Sequence, residues 1–260
     1  MIIALDVGNT NIVAGCIDEK TLEFYAEERI STDMARTELE YATILTTMFS
    51  LHNIDKTKIN GCIISSVVPP INRTLQSAIK MLLNIDSIIV GPGVKTELNI
   101  KMENPTQVGA DLIVNAVAGL HLYGAPLIII DMGTATTFSV LDENKNYTGG
   151  LIMPGVAVSL NALVDSTSQL PYVGLETPKK VIGKNTVESL KSGIMLSQAA
   201  SIDGIVERIE EELGLDTKIV ATGGMAESIV SLCKEEITLN KRLTLIGLAL
   251  VYQKNIKNKK

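Results

Sequence analysis

Short, densely apolar runs alternate along the chain with longer segments in which apolar residues recur every three or four positions. The short runs predict buried β-strands, and the longer segments predict helices with one apolar face. Strands are expected at residues 2–6, 12–17, 61–67, 87–90, 127–131, 138–141 and 218–221. Helices are expected at residues 37–52, 70–83, 110–121, 186–213 and 225–234. Because the two kinds of element alternate, the sequence predicts an α/β fold.

The first predicted helix combines an acidic start with one apolar face. Glu38 and Glu40 lie near its N-terminus, where negative charge interacts favourably with the helix dipole. The face turned toward the core is expected to contain Leu39, Ala42, Thr43, Leu45, Thr46 and Phe49.

An internal repeat is the most informative feature of the pattern. In each copy an apolar strand ends in an Asp-x-Gly turn, polar residues follow, and a second apolar run begins. The first copy contains Asp6, Gly8, Asn9, Thr10 and Asn11. The second copy contains Asp131, Gly133, Thr134 and Thr136. The copies are about half the chain apart, so we expect two lobes descended from one duplicated domain, at residues 1–118 and 119–260, with a cleft between them.

The residue types in these turns are suited to phosphate binding. Glycine lets the backbone approach a phosphate closely, and backbone N–H groups and hydroxyls can donate to its oxygens. The carboxylate can hold a Mg²⁺ that bridges phosphate oxygens. A single Asp-x-Gly is an ordinary turn, but two copies after buried strands favour a polyphosphate site. The Gly-x₄-Gly-Lys spacing of a P-loop is missing at residues 91–96 and 183–186, and no Gly-x-Gly-x-x-Gly follows the first strand.

Two further positions are candidates for chemistry. Gly223 and Gly224 follow an apolar strand and leave a flat surface on which a purine could lie, although the pair would also suit a plain strand-to-helix turn. Asp111 opens the central helix, where an acidic residue commonly serves as a cap. The two histidines, His52 and His121, form no cluster with cysteines, so neither a zinc site nor a Cys/Ser–His hydrolase is supported.

Composition narrows the class of protein further. Hydrophobic residues make up 46% of the chain, aromatic residues only 3%, and Trp is absent, so aliphatic side chains must fill the core. The net charge of −6 argues against a general nucleic-acid surface. The basic tail at 254–260 is either a solvated terminus or a polyanion-binding tail. Three widely spaced cysteines without a CxxC motif, no signal peptide and no apolar span predict a soluble, cytoplasmic protein.

At these residues the chain resembles the type III pantothenate kinases of the acetate-kinase, sugar-kinase, Hsp70 and actin superfamily. The resemblance covers nearly the whole length, and the order and spacing of its motifs are specific. The matching segments are residues 6–11, 65–70, 91–93, 103–105, 108–111, 131–137, 149–155, 183–186 and 221–224. The resemblance implies actin-like (ribonuclease H-like) ATPase lobes and ATP-dependent phosphorylation of pantothenate, the first step of coenzyme A biosynthesis. It also implies a homodimer that uses Mg²⁺ and a monovalent cation, K⁺ or NH₄⁺.

The resemblance also implies roles for single residues. Asp6 would hold Mg²⁺, and the rest of its turn would bind the phosphates of ATP. Asp131 would lie at the monovalent-cation site and begin the second phosphate-binding turn. Asp111 would be the general base, Gly223 and Gly224 would border the adenosine, and Thr186 would reach the pantothenate pocket from the partner subunit.

The pantothenate pocket departs from the family pattern at two positions. The family's usual Gly-Ala-Asp-Arg is here Gly109, Ala110, Asp111 and Leu112, and Met102 replaces a usual Tyr. The motifs on the ATP side are intact. Three functions therefore stay open: a pantothenate kinase, a kinase of another small hydroxy acid, or a catalytically impaired paralogue that binds nucleotide and regulates a partner.

Overall fold

The computed structural model describes residues 1–256, which form eleven strands, seven α-helices and two single 3₁₀ turns. The strands are β1 Ile2–Val7, β2 Asn11–Ile17, β3 Phe24–Ser31, β4 Gly61–Ser66, β5 Ser87–Ile89, β6 Asn99–Ile100, β7 Leu127–Met132, β8 Ala135–Leu141, β9 Asn146–Pro154, β10 Lys218–Thr222 and β11 Thr238–Leu239. The helices are α1 Glu38–Leu51, α2 Pro69–Leu83, α3 Ala110–Tyr123, α4 Val156–Asp165, α5 Thr186–Leu213, α6 Ala226–Val230 and α7 Leu243–Ile256. The 3₁₀ turns are Lys56–Lys58 and Pro105–Gln107.

The strands form two sheets of the same topology. One sheet has the order β3-β2-β1-β4-β5, and the other has the order β11-β10-β7-β8-β9-β6. In each sheet the central strand pairs antiparallel with the next strand of the chain and parallel with a strand that follows a helix. The second sheet adds only the short edge strand β6, which pairs with β9. The predicted α/β fold with a duplicated lobe is therefore confirmed.

The two central hairpins match residue by residue. β1 and β7 share the burial pattern of four buried residues, a half-buried Asp and a buried residue, and β2 and β8 also have identical patterns. The next pairing in each sheet, β2 with β3 and β8 with β9, has a register shift at the same place, between Cys16 and Ile17 and between Val140 and Leu141. The same alternation of apolar and polar positions thus produces the same backbone twice.

The described chain forms two compact units, and each has its own apolar core. The first unit comprises residues 1–98 and 104–118 together with α7, and the second comprises residues 99–103 and 119–242. The division at 118 expected from the repeat cuts the chain once. In the structure, residues 99–103 belong instead to the second unit and α7 to the first. The last helix packs against β1 and β4 because its Leu245, Leu248 and Tyr252 are buried there. The cleft expected between the lobes stays a prediction.

Seven strands and five helices match the sequence pattern, whereas β3, β6, β9, β11, α4 and α7 were not predicted. Two predicted details are wrong. Leu39 is 63% exposed, and Thr43 and Thr46 are exposed as well, because the inward stripe of α1 is made by Tyr41, Ala42, Leu45, Met48 and Phe49. The helix expected at 225–234 is limited to α6, since the Asp203 carboxylate accepts from the backbone N–H of Lys234 at 3.0 Å and ends the helical course. Within residues 1–256, no helix is both long enough and apolar enough to span a membrane. Residues 257–260 of the basic tail lie outside the described residues.

Candidate functional site

The first Asp-x-Gly turn is fixed through its backbone and presents its side chains outward. Gly8 N–H donates to the carbonyl of Asn11 at 3.0 Å, and Thr32 Oγ1 donates to the carbonyl of Gly8 at 2.7 Å. Thr32 N–H also donates to the carbonyl of Thr10 at 3.0 Å. Asn9 and Thr10 are exposed. β3 thus supports the turn from one side and leaves the polar side chains of the turn accessible to a ligand.

Asp6 ends β1 beside a buried hydroxyl. In the parallel register of β1 and β4, Asp6 lies opposite Ser65, so both side chains are on one face of the sheet. Ser65 is 0% exposed, and its Oγ has no hydrogen-bond partner within residues 1–256. Carboxylate and hydroxyl oxygens are ligands that Mg²⁺ accepts. The residues around Asp6 therefore fit a hard divalent cation.

The second turn repeats this arrangement in the other unit. Gly133 N–H donates to the carbonyl of Ala135 at 3.0 Å. Thr134 is exposed, whereas Thr136 is 1% exposed and lies within β8. Asp131 lies opposite Thr137 in the antiparallel pairing of β7 and β8, and Thr137 Oγ1 is buried without a partner in the described part of the chain. An acidic oxygen with an unused hydroxyl nearby suits a cation at this turn as well.

Two glycines pack against the second turn from different elements. The N–H of Gly155, at the start of α4, donates to the carbonyl of Thr134 at 3.1 Å. Gly223, which follows β10, has a φ of +98°, and a Cβ added there would lie 2.6 Å from the backbone N and O of Met132 and 2.7 Å from Asp131 Oδ1. The predicted adenosine segment and the predicted phosphate turn therefore adjoin each other within the second unit. Only glycine allows this close approach.

Asp111 is a partly buried carboxylate in the first turn of α3. Its Oδ1 accepts from the backbone N–H of Leu112 at 2.9 Å. Gly109 makes room for it, because an added Cβ at Gly109 would lie 2.4 Å from that oxygen. Burial raises the pKa of Asp111, and hydrogen bonds from the backbone N–H groups of Leu112 and of Asp111 itself oppose the rise. A carboxylate with a raised pKa is a stronger proton acceptor than an exposed one.

The predicted substrate-pocket residues are divided between the units. Ala110 and Leu112 are half-buried in the first unit beside Asp111. Met102 belongs to the second unit and is 38% exposed, with its Sδ 3.5 Å from the position of a Cβ added at Gly149. Thr186 is exposed at the start of α5, where the side chain of the N-cap Asn185 accepts from Glu188 N–H. Each unit thus contributes part of the predicted set.

The structure adds to the site two residues to which the sequence analysis gave no role beyond their place in the matching segments 65–70 and 149–155. Ser65 lies beside Asp6 because β4 pairs with β1. Gly155 contacts the second turn because β9 runs back along β8 and ends next to it. Besides the family segment, the sequence signal for Gly155 was a Gly that follows a Pro after an apolar run. No group of three or more His, Cys, Asp or Glu side chains suited to a metal occurs among residues 1–256. A metal at Asp6 would thus need oxygens from the ligand to complete its coordination.

A surface depression of about 460 Å³ lies elsewhere in the second unit. It is lined by Glu207, Glu210, Glu211, Asp216 and Glu235 among others. Five carboxylates repel a polyphosphate, so this depression is excluded as the nucleotide site.

Comparisons with known proteins identify what the chain is similar to. A model of the family described as type III pantothenate kinase matches residues 2–208. A curated type III pantothenate kinase from Halalkalibacterium halodurans is 42% identical over 256 residues, which cover 98% of this chain and 100% of that protein.

Solved structures with low sequence identity share the fold. The activator of the 2-hydroxyisocaproyl-CoA dehydratase from Clostridium difficile, with bound ADPNP, has a TM-score of 0.59 at 15% identity and covers 99% of this chain and 97% of its own. Component A of the (R)-2-hydroxyglutaryl-CoA dehydratase from Acidaminococcus fermentans has a TM-score of 0.56 at 13% identity, with 96% of each chain covered. At such identities the likeness supports the architecture of the two sheets and no activity.

Proposed function

The chain belongs to the type III pantothenate kinase family, and from that premise we propose how its residues carry out the reaction. The protein transfers a phosphoryl group from ATP to pantothenate, with a divalent metal, in coenzyme A biosynthesis. The observation that carries the proposal is the pair of Asp-x-Gly turns at the ends of β1 and β7, with the same burial and the same pairing. Phosphoryl transfer requires mainly positioning and charge neutralisation, which such turns can supply.

The metal ions are assigned to the two turn carboxylates. Asp6, with Ser65 on the same sheet face, would hold Mg²⁺, which supplies positive charge at the phosphate oxygens when bound. Asp131, with Thr137 opposite, would hold the monovalent cation, K⁺ or NH₄⁺. The unpartnered Oγ atoms of Ser65 and Thr137 support both assignments.

The remaining residues orient the nucleotide and accept the proton. Asn9, Thr10 and Asn11 would donate backbone or side-chain hydrogen bonds to the phosphates, and Gly8, whose N–H closes the turn onto Asn11, would let the backbone approach them closely. In the second unit Thr134 would donate to the phosphates, and Gly133, whose N–H donates to Ala135, would keep the turn close to them. Thr136, buried within β8, stays a prediction as a phosphate ligand. Gly223 and Gly224 would border the adenosine. Asp111 would accept the proton of the primary hydroxyl as the transfer proceeds, a role that its raised pKa supports.

A second candidate function is the phosphorylation of another small hydroxy acid. Met102, Gly109, Ala110, Leu112 and Thr186 would contact the acceptor substrate. Leu112 and Met102 offer no charged or strongly donating group, whereas a carboxylate substrate is bound well by Arg. This apolar pair favours an acceptor that differs from pantothenate near its carboxylate.

A homodimer is proposed from exposed aliphatic side chains in the second unit. Ile152 on β9 is 77% exposed, and Val181 and Ile182 before α5 are 73% and 81% exposed. A contiguous patch of such aliphatic groups, rather than single exposed side chains, marks an interface. The family resemblance and these residues together support self-association through the second unit.

The decisive experiment measures ADP release with pantothenate and with related pantoic-acid derivatives as acceptors. We expect pantothenate-dependent turnover by the wild-type protein and a loss of about 10²-fold or more in Asp6→Asn. Asp86→Asn is the matched control, because Asp86 is an exposed carboxylate in a surface ion pair with Lys80. Turnover with a derivative but not with pantothenate would favour the second candidate. Near-wild-type turnover by folded Asp6→Asn would contradict the role of the first turn.

A further inference from the structure

A buried amide on helix α5 is linked to the second phosphate turn by consecutive hydrogen bonds. Gln198 is 5% exposed, and its Nε2 donates to the carbonyl of Pro154 at 3.3 Å and to Ser159 Oγ at 3.2 Å. Because a carbonyl oxygen can only accept, the Pro154 contact fixes which end of the amide carries the nitrogen. The other end, Oε1, is buried without a hydrogen-bond partner among residues 1–256.

Pro154 and Ser159 continue the connection to the turn. Pro154 pairs with Ala135 at the end of β9. Ser159 Oγ donates to the carbonyl of Gly155 at 3.0 Å, and Gly155 N–H donates to the carbonyl of Thr134 at 3.1 Å. A Cβ added at Gly155 would lie 2.5 Å from the carbonyl oxygens on the turn. With so little free space, a shift of Gly155 must displace the 133–134 turn as well.

The unsatisfied oxygen argues against a purely structural role. Leaving a buried acceptor unpaired is unfavourable, and an apolar side chain of similar size would fill the same space without that penalty. Gln198 lies within an apolar cluster that includes Met195, Ala199 and Ile202. The amide nitrogen therefore explains why a polar side chain is kept at this position. It binds Pro154 and Ser159, which lie on either side of the start of α4.

We propose that Gln198 is a positioning residue that keeps the 133–134 turn in its phosphate-binding geometry through Pro154, Ser159 and Gly155. The proposal rests on the proposed function only in that this turn binds the phosphates of a nucleotide. It does not depend on which hydroxy acid accepts the phosphoryl group.

The test compares Gln198→Met, which keeps the length of the side chain and removes its N–H donors, with the wild-type protein. We expect the dissociation constant for the β,γ-imido analogue of ATP with Mg²⁺, measured by calorimetry, to rise about tenfold, and kcat to fall by a similar factor. The KM for the acceptor should change by less than about twofold. Amide hydrogen exchange in the peptides containing residues 133–136 and 155–159 should accelerate about tenfold without any ligand.

Ile202→Val is the matched control, because Ile202 lies one turn further along α5, is 1% exposed and forms no hydrogen bond with its side chain. It should lower the thermal midpoint and leave nucleotide affinity and exchange at residues 133–136 unchanged. An equal loss of affinity in Ile202→Val would overturn the proposal, since the effect would then be general loosening. Unchanged affinity and exchange in folded Gln198→Met would also overturn it.

Ser159→Ala tests the same connection if Gln198→Met does not fold. It should weaken nucleotide binding about threefold, and a loss below twofold would overturn the proposal. In the double variant Gln198→Met/Ser159→Ala, if it folds, the fold-loss of nucleotide affinity should be smaller than the product of the two single losses, because both substitutions break one chain of hydrogen bonds. A wild-type protein that binds nucleotide but does not phosphorylate pantothenate contradicts the proposed substrate alone. The hydrogen-exchange comparison of Gln198→Met with the wild type at residues 133–136 tests the positioning role even in a protein that does not bind nucleotide.

Discussion

A carboxylate at a helix start usually stabilises the helix, but at Asp111 burial works against the charged form. Burial raises the pKa of this carboxyl, whereas exposed first-turn acids such as Glu40 have their pKa lowered by hydrogen bonds from Thr37. The contrast separates a capping carboxylate from a candidate base.

Asp111→Asn should lower kcat by about 10²–10⁴-fold while nucleotide affinity stays nearly unchanged, because a general base acts on the acceptor hydroxyl. Steady-state kinetics and nucleotide calorimetry check both parts. If nucleotide affinity fell together with kcat, Asp111 would have a structural or metal-binding role and would not be the base.

The raised pKa of Asp111 also predicts a pH dependence with a definite sign. The base must be ionised, so kcat/KM should rise with pH through the raised pKa, and Asp111→Asn should lack this limb. The native state binds the Asp111 proton more tightly than the unfolded state does. The resulting contribution to stability is complete below the unfolded pKa and is lost as pH rises through the folded pKa. The thermal midpoint of Asp111→Asn should therefore exceed that of the wild type at pH 7, with a smaller difference in acid.

Leu112 and Met102 predict weak binding of a carboxylate substrate. A charge-assisted contact is worth about 1.5–3 kcal/mol, which is about tenfold or more in affinity. The double variant Leu112→Arg/Met102→Tyr should lower the KM for pantothenate about tenfold and leave the KM for ATP unchanged. An unchanged or higher KM for pantothenate would mean that Lys101 or Lys184 already supplies the charge, or that pantothenate is not the acceptor.

At the scale of elements, the site depends on how closely loops approach the two central hairpins. The 223–224 loop passes over the Asp131 turn with a positive φ at Gly223 and backbone atoms within 3 Å of any added Cβ. A loop that only connected β10 to α6 would not need this approach.

Gly223→Ala should weaken nucleotide binding at least tenfold and destabilise the protein by about 2 kcal/mol, because both the φ and the contact exclude a side chain. Nucleotide calorimetry and thermal unfolding are the measurements. Gly193→Ala is the control, since Gly193 is an exposed position of α5 and an added Cβ there would meet nothing within 4 Å. That variant should gain about 0.5–1 kcal/mol from helix propensity. Equal nucleotide affinity in Gly223→Ala and the wild type would contradict the adenosine assignment.

At the scale of the whole molecule, two copies of one lobe carry different auxiliary elements. The second unit adds β6 and the segment between α4 and α5, and it also carries Ile152, Val181 and Ile182. The duplication provides two similar turns, and these additions provide the surface proposed for self-association.

Ile152→Asp should raise the dissociation constant of the dimer at least tenfold, because a charge placed in an apolar interface is desolvated without a partner. Sedimentation velocity over a concentration series measures this. Leu51→Asp, at an equally exposed leucine of the first unit (72%), should leave the association unchanged. A dimer unaffected by Ile152→Asp would place the interface elsewhere.

The order of apolar and polar residues within a few turns of chain was enough to predict seven of the eleven described strands, most helices and the duplication, but not β3, β6, β9 and β11. Helix α5 begins after the Asn185 cap and ends at Gly214, as local rules predict. The family resemblance could be recognised for the same reason, since its motifs are short segments in a fixed order.

Which distant segments meet depends on the tertiary structure of the chain. The placement of Ser65 beside Asp6, of Gly155 and Gly223 against the second turn, and of α7 in the first unit depends on strand pairing and crossovers. The burial that raises the pKa of Asp111 likewise comes from its surroundings in the fold. Local sequence fixes the pattern of each element, but contacts between elements far apart in the chain depend on register and packing, which no short segment contains.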